Sequence, residues 1–364
     1  MKGAIRKNLL TERIDIVKPL GWYRDSPTLT DVDVKYLLLY FEENYGLTVE
    51  KKIIDAVAVI ANENRYHPVC DFLNALQWDG TERIRFCLHR FLGSDTDDYT
   101  YEALKLFLLG AISRAFKPGC KFEVMLCLVG GQGAGKSSFF RLLAVNDDWF
   151  SDDLKKLDDE NVYRKMQGHW IIEMSEMIAT ANAKSIEEIK SFLSRQKETY
   201  KIPYETHPAD RKRQCVFGGS SNTLDFLPLD RTGNRRFVPV MVYPERAEVH
   251  ILADEQASRA YINQMWAEAM EIYRSGNFRL RFSPAMNACR AFSFKEEYRM
   301  TNIVNSTLPT PNNHSEKNKP DGVFVIKQGK TNYKVKVFFD HSSGLTAEDR
   351  LKRIIQAEAE RESA

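Results

Sequence analysis

Apolar positions recur at helical spacing through the first hundred residues. A helix opening near Ser26–Asp31 carries Val34, Tyr36, Leu37, Leu38 and Tyr40. A second covers about 49–62 with Ile53, Ile54, Val57, Val59 and Ile60, a third 68–76 and a fourth 82–91. Each has a plausible start, and the period is near 3.6. A further amphipathic helix over 101–115 leads through Lys117-Pro118-Gly119 into an apolar run at 122–129. From there the pattern changes. Short apolar runs at 122–129, 170–174, 215–218 and 237–242 alternate with helical periods at 136–144, 161–165 and 185–194. This alternation is the α/β signature and predicts a parallel sheet. Residues 246–300 turn helical again around Trp266, Ala267, Ala269, Met270 and Ile272. Residues 302–321, rich in Asn, Pro, Thr, Ser and Lys, read as a linker. Alternating runs at 323–326 and 333–339 flank Gly329 as a hairpin, and Thr346-Ala347-Glu348-Asp349 caps a last helix. The expected organisation is an N-terminal helical domain over 1–100, an α/β domain with a helical C-terminal part over 101–300, a linker over 301–321 and a small ββα tail over 322–364.

Composition narrows the function classes. A net charge of +2 over 364 residues places any nucleic-acid surface locally rather than across the whole chain. Six scattered cysteines, with no C-x-x-C pair, argue for reduced thiols in a cytoplasmic protein and against a zinc site. No apolar run reaches the roughly 18 residues of a membrane span. The N-terminus lacks a signal peptide's apolar stretch.

The strongest chemical signal is Gly130-Gly131-Gln132-Gly133-Ala134-Gly135-Lys136-Ser137, followed by Ser138. It fits G-x-x-x-x-G-K-[ST], with an apolar run before it and a helical run after it. Glycines let backbone N–H groups curl around a phosphate, and the helix N-terminus adds positive charge. Lys136 can reach the β- and γ-phosphates, and the Ser137 hydroxyl can hold Mg²⁺. The bland alternative is a glycine-rich turn that happens to carry a lysine. The expected ligand is a nucleoside triphosphate, most simply ATP with Mg²⁺.

Three later clusters supply catalytic groups. Trp170-Ile171-Ile172-Glu173-Met174-Ser175-Glu176 ends an apolar run in two carboxylates. Glu176 is read as the group that polarises water and Glu173 as metal-side, unless both face solvent at a strand end. Asn222 follows another strand and is placed to touch the γ-phosphate, or is a turn residue. Arg235 and Arg236 suit a triphosphate's developing charge, or are surface arginines. Between these clusters, Lys197, Lys201, Tyr204, His207, Arg211, Lys212 and Arg213 mix basic and aromatic side chains. That mixture fits a single-stranded nucleic-acid contact or simply a solvated loop.

This order of motifs resembles the virulence-associated protein E (VapE/VirE) family over about residues 30–285. Members are primase-helicase-like ATPases of phages, prophages and pathogenicity islands, related to superfamily III helicases. Further family-like words are His67-Pro68, Trp78-Asp79-Gly80-Thr81-Glu82-Arg83, Lys117-Pro118-Gly119-Cys120-Lys121, Tyr200-Lys201-Ile202-Pro203-Tyr204 and Thr232-Gly233-Asn234-Arg235-Arg236-Phe237. The resemblance implies a P-loop AAA+-like core working as a homo-oligomeric, hexameric ring. It makes Asn222 a γ-phosphate sensor, and Arg235 or Arg236 an arginine finger. It makes the 197–213 segment a DNA-contacting hairpin with His207 near the tip. The implied function is an ATP-dependent DNA translocase or helicase in the replication of a mobile element. The alternative is a nucleotide-gated loader that docks a phage or host replication protein. A small-molecule P-loop kinase is a third reading, but no acceptor pocket is legible. Asp31-Val32-Asp33 has the form of a metal-binding D-x-D, yet its place at a helix start favours capping.

Overall fold

The computed structural model describes residues 3–154, 157, 162–175, 183–200, 209–224, 234–284, 286–287, 322–328 and 331–337. The chain divides into two units, residues 1–293 and 294–364.

The first unit begins with strands, where helix was expected. β1 (Ile5–Asn8) pairs antiparallel with β2 (Ile14–Ile16) and parallel with β3 (Arg65–Tyr66). Between β2 and β3 run α1 (Asp31–Tyr45) and α2 (Glu50–Glu63). Ile5, Leu37, Val57 and Ala61 form their shared core. Asp33 accepts from the Thr30 backbone N–H and from the Trp22 and Arg24 side chains, while Thr30 Oγ1 accepts from Asp33 N. This is a capping box, so the D-x-D pair is a helix start. Burial pushes the Asp33 carboxyl up, but these bonds hold it well below the usual carboxylate range.

Then α3 (Pro68–Ala75), α4 (Ile84–Leu92) and α5 (Asp98–Phe116) lead to β4 (Met125–Val129). His67 caps α3, and Pro68 occupies its first turn, where the missing N–H costs nothing. The α4 start has no side-chain cap of its own. Glu268 supplies one from a distance, accepting from Arg83 N at 2.6 Å and Ile84 N at 3.0 Å.

The next elements are α6 (Lys136–Leu143), β5 (Phe150–Ser151), α7 (Val162–Met166), β6 (Ile171–Glu173), α8 (Ala183–Leu193), the β7–β8 hairpin (Lys197–Tyr200, Ala209–Lys212), β9 (Val216–Ser221), β10 (Phe237–Met241) and α9 (Glu255–Ser275). The described strands build a five-stranded parallel sheet in the order β10-β4-β9-β6-β5. The central strand β9 and its neighbour β4 are buried along their length, as a sheet covered on both faces requires. One hydrophobic core joins α3, α4, α5, α6 and α9 to the sheet and runs through residue 100 without a break. Among the described residues no helix is long and apolar enough to cross a membrane.

Gly218 in β9 sets how closely α6 approaches the sheet. A Cβ there would lie 2.4 Å from Phe140 Cε1. Gly218→Ala therefore overpacks the core, and we expect a loss of about 1–3 kcal/mol. It should appear as a lowered thermal midpoint; an unchanged midpoint would show that the helix can move aside freely.

In the second unit, β11 (Gly322–Gln328) and β12 (Thr331–Val337) form an antiparallel hairpin pairing Gly322 with Val337 and Gln328 with Thr331. The helix expected after it lies outside the described residues.

Candidate nucleotide site

The loop between β4 and α6 stands at the carboxyl end of the parallel sheet, where such sheets place their ligands. Gly133 and Gly135 both have φ +79°, so the bend needs residues without a Cβ. Gly130 is needed for space: a Cβ there would lie 2.3 Å from Val242 O. Gly131, Gln132 and Gly133 are exposed at the apex, and Ala134 is buried beneath them. Gly135 starts α6 in the left-handed conformation with no side-chain cap. By contrast, α1, α5 and α9 carry side-chain caps from Thr30, Asp97 and Asp254. The first N–H groups of α6 have no such partner, and they present an anion site.

Lys136 is folded over the loop. Its Nζ donates to Gly130 O at 2.6 Å and Gly131 O at 2.7 Å and lies 3.4 Å from Asn222 Oδ1. Burial lowers its pKa, opposed by the charge of Glu173. An ammonium held, among the described residues, only by neutral groups gives up no ion pair if it turns to an anion.

Glu173 lies under the same loop at the end of β6, with 1% exposure. Its Oε1 accepts from Ser137 Oγ at 2.8 Å and Ser220 Oγ at 2.6 Å. Its Oε2 is buried, with no hydrogen-bond partner among the described residues. Burial raises its pKa, against the two serines and Lys136, which lower it. A buried carboxylate with one orphan oxygen beside an exposed serine hydroxyl is a suitable donor set for a hard cation. Among the described residues no cluster of three or more His, Cys, Asp or Glu could hold a metal. A cation on Ser137 and Glu173 would complete its shell with phosphate oxygens and water. Glu176 lies outside the described residues.

The carboxylate's burial has a measurable cost. A carboxyl whose folded pKa is raised adds stability while it is protonated, below its ordinary value. That stability fades as pH rises through the raised value. Glu173→Gln keeps an oxygen for the serines and removes the charge. We expect a higher thermal midpoint at neutral pH without nucleotide, and Mg²⁺-dependent turnover lower by about tenfold or more. A lower midpoint, or undiminished turnover, would remove Glu173 from the cation site.

Arg235 and Arg236 lie at the other end of the sheet. They precede β10, whose Phe237 pairs with Met125 and Met241 with Val129. At about 3.3 Å per residue, the strand separates them from Gly130 by about 16 Å or more, a gap an arginine side chain does not bridge. Both converge on Glu123, with Arg235 Nη2 at 3.4 Å from Oε1 and Arg236 Nε at 3.2 Å from Oε2. Burial pushes Glu123 up, but the two arginines hold it below the usual carboxylate value.

The basic segment is an antiparallel hairpin, Lys197 opposite Lys212 and Tyr200 opposite Ala209. Its basic residues divide by environment. Lys197 and Lys212 are exposed, with Lys197 ion-paired to Asp210. Arg213 is buried, bonded to Glu198 and to Phe192 O. Arg211 is buried against Glu12 at 2.5 Å. As placed, Arg211 and Arg213 hold the hairpin to the body rather than face a strand of nucleic acid, because alternate residues of a strand point to opposite faces. Lys201, Tyr204 and His207 lie outside the described residues.

Sequence reasoning missed Ser220 and Glu123. Ser220 sits in the Gly-Ser end of β9, two residues before Asn222, which carried the signal there. Glu123 sits inside an apolar run, where a lone carboxylate was the available signal.

The virulence-associated protein E-like domain is matched over residues 73–299, more than half of the chain. No curated protein matches. Among solved structures, the A-form apo structure of the C-terminal region of NrS-1 is similar at 15% identity and a TM-score of 0.47, covering 73% of this chain and 65% of that one. A second apo structure of the same region gives 14% and 0.45, covering 79% and 71%. The chain thus spans 65% of the length of the first of these.

Proposed function

This chain belongs to the virulence-associated protein E-like domain family, and from that premise we propose that it is an ATP-driven DNA translocase of the AAA+ type. It would act as a ring in the replication of a phage or other mobile element. The observation that carries this reading is the contact of Ser137 with Glu173 beneath the Lys136 loop. A loop, an uncapped helix start, a lysine, a serine and a buried acid gather at the carboxyl end of the sheet, and groups of these types are the ones phosphoryl transfer uses.

The N–H groups of the loop and α6 hold the phosphates. Lys136 leaves Gly130 O and Gly131 O to bind the β- and γ-phosphates. Ser137 and Glu173 would hold Mg²⁺, which when bound neutralises charge on the triphosphate. Asn222, beside Lys136, orients the γ-phosphate or the attacking water. Glu176 is proposed as the group that takes the water's proton, and Arg235 or Arg236 would serve a neighbouring protomer's site. The exposed Lys197 and Lys212, with Lys201, Tyr204 and His207 beyond, would follow single-stranded DNA.

Steady-state ATP hydrolysis with and without single-stranded DNA tests the reading, beside strand separation on a forked duplex. Stimulated hydrolysis with unwinding supports a motor. ATP binding and assembly without unwinding would point to a loader, and absence of hydrolysis would refute the ATPase itself.

A further inference from the structure

The arginine pair and the hairpin share a support that neither motif requires. Glu123, two residues before β4, is partly buried and bonded on both oxygens. Its Oε2 also lies 3.1 Å from Ser194 Oγ, whose one hydrogen is shared between it and Lys190 O at 2.9 Å, and Ser194 Oγ accepts from Arg236 Nε at 3.0 Å. Ser194 follows the last turn of α8 and stands three residues before β7. The base of the hairpin is closed by Arg213 N donating to Gln196 O at 2.9 Å. It is tied in turn to the segment leading to Glu123, because Gly119 N donates to Arg213 O at 2.9 Å. Gly119 has φ +82°, and a Cβ on it would press within 3.2 Å of Gln196 O. Hairpin base, approach to β4 and arginine pair therefore form one bonded cluster.

Within it the two arginines are not equivalent. Among the described residues, Arg236 is 19% exposed in its side chain and shares its single Nε–H between Glu123 and Ser194, whereas Arg235 is 64% exposed with one contact, at 3.4 Å. We infer that Glu123 is a positioning residue that, through Ser194, ties the arginine pair to the base of the hairpin. Arg236 is the anchor and Arg235 the arm left to reach a neighbouring protomer. A shift of the hairpin on binding DNA moves Ser194, and with it the bonds that set where the pair points. This deepens the proposed function and rests on it, since it takes the hairpin as the DNA contact and the pair as acting on a neighbour's triphosphate.

The test compares wild type with Ser194→Ala, Ser194→Thr and Glu123→Gln. The readouts are kcat and KM for ATP with and without a thymidine oligonucleotide, and thermal midpoint. Ser194→Ala should keep DNA-free turnover while its stimulation by DNA falls toward onefold. Ser194→Thr, which keeps the hydroxyl, should restore the stimulation. Glu123→Gln should lower kcat about tenfold with KM unchanged, because charge-assisted bonds to the pair are lost and the nucleotide pocket is not. Should Glu123→Gln fail to fold, the serine variants decide alone. Stimulation at the wild-type ratio in Ser194→Ala overturns the inference while leaving the function standing. Wild-type turnover indifferent to DNA overturns the functional reading, and the inference with it.

Discussion

Lys136→Ala is expected to lower ATP turnover by about 10²–10³-fold, on the scale of removing one preorganised charge-stabilising donor. Its ammonium is buried at the loop and held by two carbonyls of that loop. No other cation among the described residues is bonded to this loop. The γ-phosphate would lose its main cationic partner as charge moves onto it. Folding should not suffer in parallel. Burial lowers the pKa of Lys136, so the charged form is the one the fold disfavours. The variant's thermal midpoint without nucleotide should match the wild type's or exceed it. A midpoint that collapses would make the lysine a structural prop, and undiminished turnover would remove it from the chemistry.

Arg235→Ala is expected to abolish turnover while sparing nucleotide binding. An arginine supplied from outside the pocket is worth about 10³–10⁵ in phosphoryl-transfer rate. Strand register keeps Arg235 away from its own loop, so its loss cannot disturb the pocket it belongs to. Affinity for a fluorescent ATP analogue should stay within about twofold of wild type, because only the transition-state interaction is removed. A parallel loss of affinity would mean that the arginine folds back onto its own subunit. Normal turnover would mean that no finger acts from this position.

The α/β core was legible because its signals are local. The apolar runs before Gly130, at Ile171 and at Phe237 are β4, β6 and β10, and the glycine-rich loop sits where its motif requires. The N-terminal strands were not legible. β1 and β2 hold four and three residues and alternate weakly, and β3 holds two. β1 and β2 pair locally but are too short to show a period, and β3 becomes a strand only by pairing with β1 across more than fifty residues, which no local window contains. Helical periodicity placed α1 and α2 but not their inner faces. Tyr36, Ile54, Val59 and Ile60 carry the apolar pattern and yet lie exposed, whereas Leu37, Ile53 and Val57 are buried. The same limit applies to the site. Lys136 and Ser137 are fixed by a motif. The orphan oxygen of Glu173, the inward turn of Arg211 and Arg213, and the meeting of Glu123 with Ser194 depend on tertiary contacts. Some of the family-like words turn out to be braces. His67-Pro68 starts α3, and Asp79 grips Arg83 at 2.6 Å.

Mixing subunits tests the shared site most directly. Lys136→Ala alone and Arg235→Ala alone should each be inactive. Assembled together, some interfaces join an intact loop to an intact arginine, roughly a quarter of them in a random head-to-tail ring. ATP turnover should reappear in the mixture to about that fraction of wild type. A mixture as inactive as its two components, with co-assembly confirmed by mass, would contradict hydrolysis at a site shared between protomers.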